Sequence, residues 1–137
     1  MVRPEVIRRR LNRLDEYLSI LDKLAEYRWE DFREDPIVSG SAERYLHLAI
    51  EAINDMGNHV VADETLGVVN QYKDIPDILC QHKRIDAKQK EIWIRMIGFR
   101  NALVHDYTDI DLKIVYDTLQ KNREDLRSFR SIFARFL

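Results

Sequence analysis

Two long apolar seams with helical spacing constrain this chain more than any other feature. Near the start, Ile7, Leu11, Leu14, Leu18, Leu21 and Ala25 recur at intervals of four and three residues. Near the end, Leu112, Val115, Leu119, Asn122, Leu126, Phe129, Phe133 and Phe136 trace a second seam of the same kind. Such a stripe stays on one side only if the chain turns about 100° per residue, so both segments read as amphipathic helices. No segment alternates apolar and polar residues as a half-buried strand does. With four Gly and three Pro in 137 residues, there are few points at which a helix must break.

The first helix is expected over residues 4–27, with Pro4 in its first turn. Residues 29–35 read as a short helical turn stopped by Pro36. A second long helix is expected over 41–62, with Leu46, Ile50, Ile53, Gly57 and Val60 as its inner stripe. Gly57 costs that helix about 1 kcal/mol against Ala, which a close helix-helix approach would explain. Residues 63–73 read as a loop, followed by a short helix over 77–83. Asp86 and Gln89 form a capping box that starts a helix reaching about Val104. Thr108 or Asp109 is the expected cap of the last helix, which continues to about Phe136 with Asn122 as the polar break in its seam. The expected fold is all-α, an up-and-down bundle of four to five helices with residues 1–137 as one domain.

A chain of this length can bury roughly two-thirds of its unfolded surface, so it needs neither a metal nor a disulfide to fold. Cys80 is the sole cysteine, which suits a reducing cytoplasm. The charged N-terminus has no apolar core behind it, so no signal peptide is expected, and no run approaches the ~20 apolar residues of a membrane span. The net charge of −2 hides an uneven distribution. Acids dominate residues 34–77, while cations gather in two later clusters. One is Lys83, Arg84, Lys88, Lys90, Arg95 and Arg100; the other is Lys121, Arg123, Arg127, Arg130 and Arg135. These read either as solvated helix faces or as a local basic face able to hold a short piece of RNA.

The segment Arg100-Asn101-Ala102-Leu103-Val104-His105-Asp106-Tyr107 concentrates the chemistry. Trp93, Ile97, Arg100 and Val104 lie at four-three-four spacing, so Arg100 falls on the seam of an otherwise apolar face. A guanidinium there is costly unless it is paired or opens into a polar cleft. His105 lies five residues on, about 140° around an ideal helix. Two geometries bring the pair together: the helix ends near Val104 and His105 swings back, or the residues converge with a second copy across a two-fold axis. A neutral imidazole can take the proton of a ribose 2′-hydroxyl, while an arginine holds the attacked phosphate. RNA carries that nucleophile itself, so no metal is needed. The competing reading is a salt bridge and a helix C-cap, with Tyr107 a half-buried residue at the helix end.

These residues resemble the mark of the HEPN superfamily: Arg, a polar residue, three more residues, then His. Arg100, Asn101 and His105 fit it, and Asp106-Tyr107 completes the longer form of the HepT branch. Ile75 to Leu79, Met96 to Phe99, Asp109 to Asp111 and the helix Leu48 to Asp55 also look HepT-like. The resemblance implies a helical homodimer whose Arg100 and His105 line a shared cleft. It implies a metal-independent endoribonuclease toxin without a cofactor, acting on RNA in the cytoplasm, with Asn101 in support. It further implies a partner, an MntA-like nucleotidyltransferase antitoxin, that transfers AMP to Tyr107 and joins the toxin in a larger hetero-oligomer. Glu51 and Asp55, four apart on the second long helix, either orient His105 or pair with Arg100, or face solvent. His47, His59 and His82 have no metal-ligand spacing with Cys80 or one another and read as structural or surface residues. The rival functions are a non-catalytic RNA- or nucleotide-binding subunit that scaffolds a nucleotidyltransferase, and a structural helical dimer in which Arg100 only bridges to Glu51 or Asp55.

Overall fold

In a computed structural model that describes residues 2–105 and 111–137, the chain is built from α-helices. They are α1 (Pro4–Leu24), α2 (Trp29–Glu34), α3 (Pro36–Asp63), α4 (Asp74–Gln81), α5 (Ala87–His105) and α6 (Leu112–Ala134). The described residues thus hold six helices rather than four to five, because the two short segments around Phe32 and Leu79 each close a full helix.

The α1 seam packs as its spacing demands, with Ile7, Leu11, Leu14, Leu18 and Leu21 buried. Helix α3 is the hub and touches all five other helices. It starts at Pro36, not Ser41. The Asp35 carboxylate accepts the Ile37 amide at 3.0 Å, and Pro36 occupies the first turn, where its missing N–H costs nothing. Its stripe of Leu46, Ile50, Ile53, Met56 and Val60 is buried. Gly57 lies where α4 and α5 press closest: a Cβ there would sit 2.6 Å from Ile75 Cγ2 and 2.6 Å from Trp93 Cη2. Trp93 is fully buried, and its indole N–H donates to Asn54 Oδ1 at 2.8 Å.

The capping box at the start of α5 forms in both directions: Gln89 N donates to Asp86 Oδ1 at 2.7 Å, and Asp86 N to Gln89 Oε1 at 2.9 Å. Helix α6 begins later than expected. Asp111 is its cap, accepting the Lys113 amide at 2.9 Å. Thr108 and Asp109, the expected caps, lie outside the described residues. Asn122 does not enter the core and instead donates to Asp125 at 3.0 Å.

Three of the five cations of the second basic cluster are paired with acids of α1. Arg130 grips Asp15 of α1 through two hydrogen bonds of 2.7 and 2.9 Å. Arg123 donates to Asp22 at 2.9 Å, and Arg127 pairs with the same carboxylate. These arginines stitch α6 to α1. Burial works against the Asp22 charge, but hydrogen bonds from Arg127 and Arg123 prevail and hold its carboxyl below the usual aspartate value.

Candidate active site at Arg100

The apolar face of α5 turns polar in its last two turns. Trp93 and Ile97 are fully buried, while Arg100, next on the same stripe, keeps 16% of its side chain exposed. It lines an open cavity of about 550 Å³ bounded by α3, α5 and the segment before α4. The guanidinium is held from several sides. Its Nε donates to Glu51 Oε1 on α3 at 2.5 Å, and its Nη1 donates to Asn101 Oδ1 at 3.1 Å. Its central carbon lies over the Tyr72 ring, 5.0 Å from the centroid. The burial cost that the sequence raised for Arg100 is therefore met by a carboxylate, an amide and an aromatic face.

Glu51 has a second neighbour. His47, one turn earlier on α3, places Nε2 3.7 Å from the same Oε1. Burial pushes the His47 imidazole below its ordinary value of 6.5; Glu51 draws it back up, and Arg100 and Arg44 oppose its charge. A depressed histidine pKa means that the unfolded chain binds this proton more readily than the folded one. The stability carried by neutral His47 is thus complete above about pH 6.5 and is lost as pH falls through the lower folded value. Acidification from about pH 7 to 5.5 should lower the melting temperature, and His47→Gln should flatten that slope. Identical slopes in the two proteins would show that His47 is not the group responsible.

The structure brings together Arg100, Asn101 and Glu51 and leaves Asp55 apart. Asp55 faces α1, with Arg10 Nε 3.9 Å from its carboxylate; burial raises its pKa, Arg10 opposes that rise, and Glu51 adds to it. His59 meets Arg3 at 3.3 Å, and His82 meets the Leu66 carbonyl at 3.0 Å. The described part of helix α5 runs through His105. Asp106 and Tyr107 lie outside the described residues. Two members of the site were not singled out in the sequence. His47 has no metal-ligand spacing, but its four-residue step to Glu51 is a helical neighbour relation. Tyr72 sits in a loop, where periodicity carries no information. Among the described residues, no group of three or more His, Cys, Asp or Glu is gathered as a metal site would require.

A fixed guanidinium at the mouth of a cavity can hold a phosphate, and relatives show which chemistry has used this bundle. The model of the family described as ribonuclease HepT-like matches residues 14–132. The chain belongs to that family. It is 31% identical over 98 residues to the mRNA nuclease HepT of Shewanella oneidensis, covering 72% of this chain and 74% of that protein. A solved structure of a tri-AMPylated Shewanella oneidensis HEPN toxin in complex with an MNT antitoxin has a TM-score of 0.85 at 24% identity, over 95% of this chain and 97% of that one. The solved structure of YutE from Bacillus subtilis, described as a cytosolic protein of unknown function, gives a TM-score of 0.85 at 25% identity, over 99% and 91% of the two chains. The HepT-like chain thus has the HEPN fold. No described helix of it is long and apolar enough to cross a membrane.

Proposed function

We propose that this HepT-like protein is a ribonuclease toxin that cuts RNA without a metal, with Arg100 and His105 as its catalytic residues. The observation that carries the reading is a cation fixed by Glu51, Asn101 and Tyr72 at an open cavity, on a helix face that is otherwise apolar. In this reading His105 takes the proton of a ribose 2′-hydroxyl. That oxygen attacks the adjacent phosphorus to form a 2′,3′-cyclic phosphate, and the 5′-oxygen of the next nucleotide leaves, taking a proton from water. Arg100 neutralises the charge that gathers on the phosphoryl oxygens. Glu51 fixes the guanidinium beforehand, so less ordering is left to do when substrate arrives. An unbroken helix sets Arg100 and His105 about 140° apart, so we assign the completing residue to a second copy across a two-fold axis, in a homodimer. The test is cleavage of RNA by purified protein in EDTA. Lack of cleavage by a dimeric, folded preparation would sink the reading and favour a binding subunit.

We further propose that the toxin acts in the cytoplasm and that an MntA-like nucleotidyltransferase restrains it by transferring AMP from ATP to Tyr107, in a complex of both chains. The support is the motif that carries Tyr107 two residues beyond His105 and the likeness to a toxin solved in AMPylated form beside its antitoxin. Phosphates attached there would compete with substrate for Arg100 by charge and bulk. Incubation with such an enzyme and ATP should raise the intact mass by whole AMP units, and Tyr107→Phe should abolish the gain. An undiminished gain in that variant would move the modification to another residue.

A further inference from the structure

The cavity beside Arg100 is more elaborate than the grip on one phosphate requires. In a chain with 24 acidic residues, none of the described residues lining it is acidic, and two of them, Arg100 and Lys73, are cationic. Its floor is apolar, from Ile75 and Ile97, both buried. Its polar lining includes Asn58, Asn70, Gln71 and Asn101, residues whose side-chain amides both donate and accept hydrogen bonds. Tyr72, 37% exposed as a residue, completes it. At about 550 Å³ it is within the range of small-molecule sites.

The wall that carries Tyr72 is anchored at both ends. The Asp74 carboxylate accepts the amides of Asn70 and Gln71 at 2.9 and 3.0 Å, and the Ile75 amide donates to the Tyr72 carbonyl at 3.1 Å. Upstream, the Leu66 carbonyl meets His82 at 3.0 Å. Tyr72 is therefore presented by a closed turn, and Arg100 lies against its ring. A π-face, a guanidinium, several amides and a second cation make a receptor for a nucleobase with an attached phosphate.

We propose that this cavity is a nucleotide subsite that takes one unpaired base of single-stranded RNA, stacked on the Tyr72–Arg100 pair, with Lys73 on a flanking phosphate. The inference rests on the ribonuclease reading for the identity of the strand and adds a specificity that reading lacks. A base held this way cannot be paired, so the subsite selects single strands and loops over duplex. Tyr72 and Lys73 act by positioning the strand, and the amides face the edge of the base.

The test uses a short 2′-O-methyl RNA, which cannot be cut because its 2′-oxygens are blocked, and a set of the same strands lacking one base at each position in turn. For the wild-type protein, one of the abasic strands should bind roughly tenfold or more weakly than the intact strand, as expected for loss of one stacked base. Tyr72→Leu should close that gap, while Tyr72→Phe, which keeps the ring, should preserve it. If Tyr72 served only to clamp Arg100, Tyr72→Leu would weaken all strands alike and leave the gap in place, which overturns the proposal. Equal binding of every strand by the wild type, or binding to none, overturns it too. Because the probe is not cleaved, the two readings fail separately. Base-dependent binding without cleavage of ordinary RNA would refute the ribonuclease and leave the subsite, whereas cleavage without base dependence would refute the subsite alone.

Discussion

Arg100→Ala should lower RNA cleavage by at least about a hundredfold, the usual loss when a donor to developing negative charge is removed. His105→Ala should cost a similar or larger factor through loss of general acid-base help, about 10² to 10⁴. Both variants should also relieve growth arrest in cells that express the protein without the proposed antitoxin. The Arg100 result needs a control, because the residue also has a structural tie. Its Nε–Glu51 bond joins α5 to α3, and Glu51 is only 24% exposed. Removing the arginine strands that carboxylate at a cost of about 1 to 3 kcal/mol. The double variant Arg100→Ala/Glu51→Gln removes the stranded charge, so it should recover stability and none of the activity. If Arg100 were only a bridge between helices, the double variant would regain both. Arg100→Lys keeps the charge but loses the planar fork that reaches Glu51 and a phosphate together, so it should also be severely impaired. Cleavage at wild-type rates by Arg100→Ala and His105→Ala would overturn the site assignment.

The parts of this fold that could be read from sequence are those set by neighbours along the chain. The α1 seam and the Asp86–Gln89 box depend on residues three or four apart, and both form as spacing requires. Asp35 is not legible as a cap, because the pattern before Pro36 reads as the end of a helical turn. In fact Asp35 closes α2 and opens α3 together. The pairing of three α6 arginines is the part that sequence does not show. Their partners lie 101 to 115 residues away on α1, and nothing local distinguishes an arginine that will be paired from one that faces solvent.

The site divides along the same line. Spacing marked Arg100 as anomalous on an apolar face, and the structure supplies the reason that it can stay there. Spacing also set Glu51 and Asp55 on one side of α3, about 40° apart on an ideal helix. It could not tell them apart, since the difference lies in what faces each: α5 and Arg100 for Glu51, α1 and Arg10 for Asp55. Tyr72 enters the site only because the turn before α4 folds over the end of α5, a tertiary event that no periodicity records.

Substituting alanine at Gly40 and Gly57, two glycines of the same helix, should have opposite effects. Replacing an exposed mid-helix glycine by alanine normally stabilises by about 1 kcal/mol. Gly40 meets that condition, since nothing lies within 4 Å of an added Cβ. At Gly57 the new methyl would press on Ile75 and on the Trp93 ring, both buried and neither free to swing aside. Overpacking of this kind costs about 1 to 3 kcal/mol, which outweighs the gain in helix propensity. Gly40→Ala should therefore raise the melting temperature by a few degrees and Gly57→Ala should lower it, with Gly57→Val lower still. Equal stabilisation by both alanines would show that α4 and α5 do not close on Gly57. The strain also has a direction. Trp93 shares its stripe with Arg100 two turns on, so relief by displacement of α5 carries the guanidinium away from Glu51 and Tyr72. A misplacement near 1 Å can cost about a hundredfold in rate. At temperatures where Gly57→Ala is still fully folded, its cleavage rate should fall well below that of Gly40→Ala, which leaves α5 where it was.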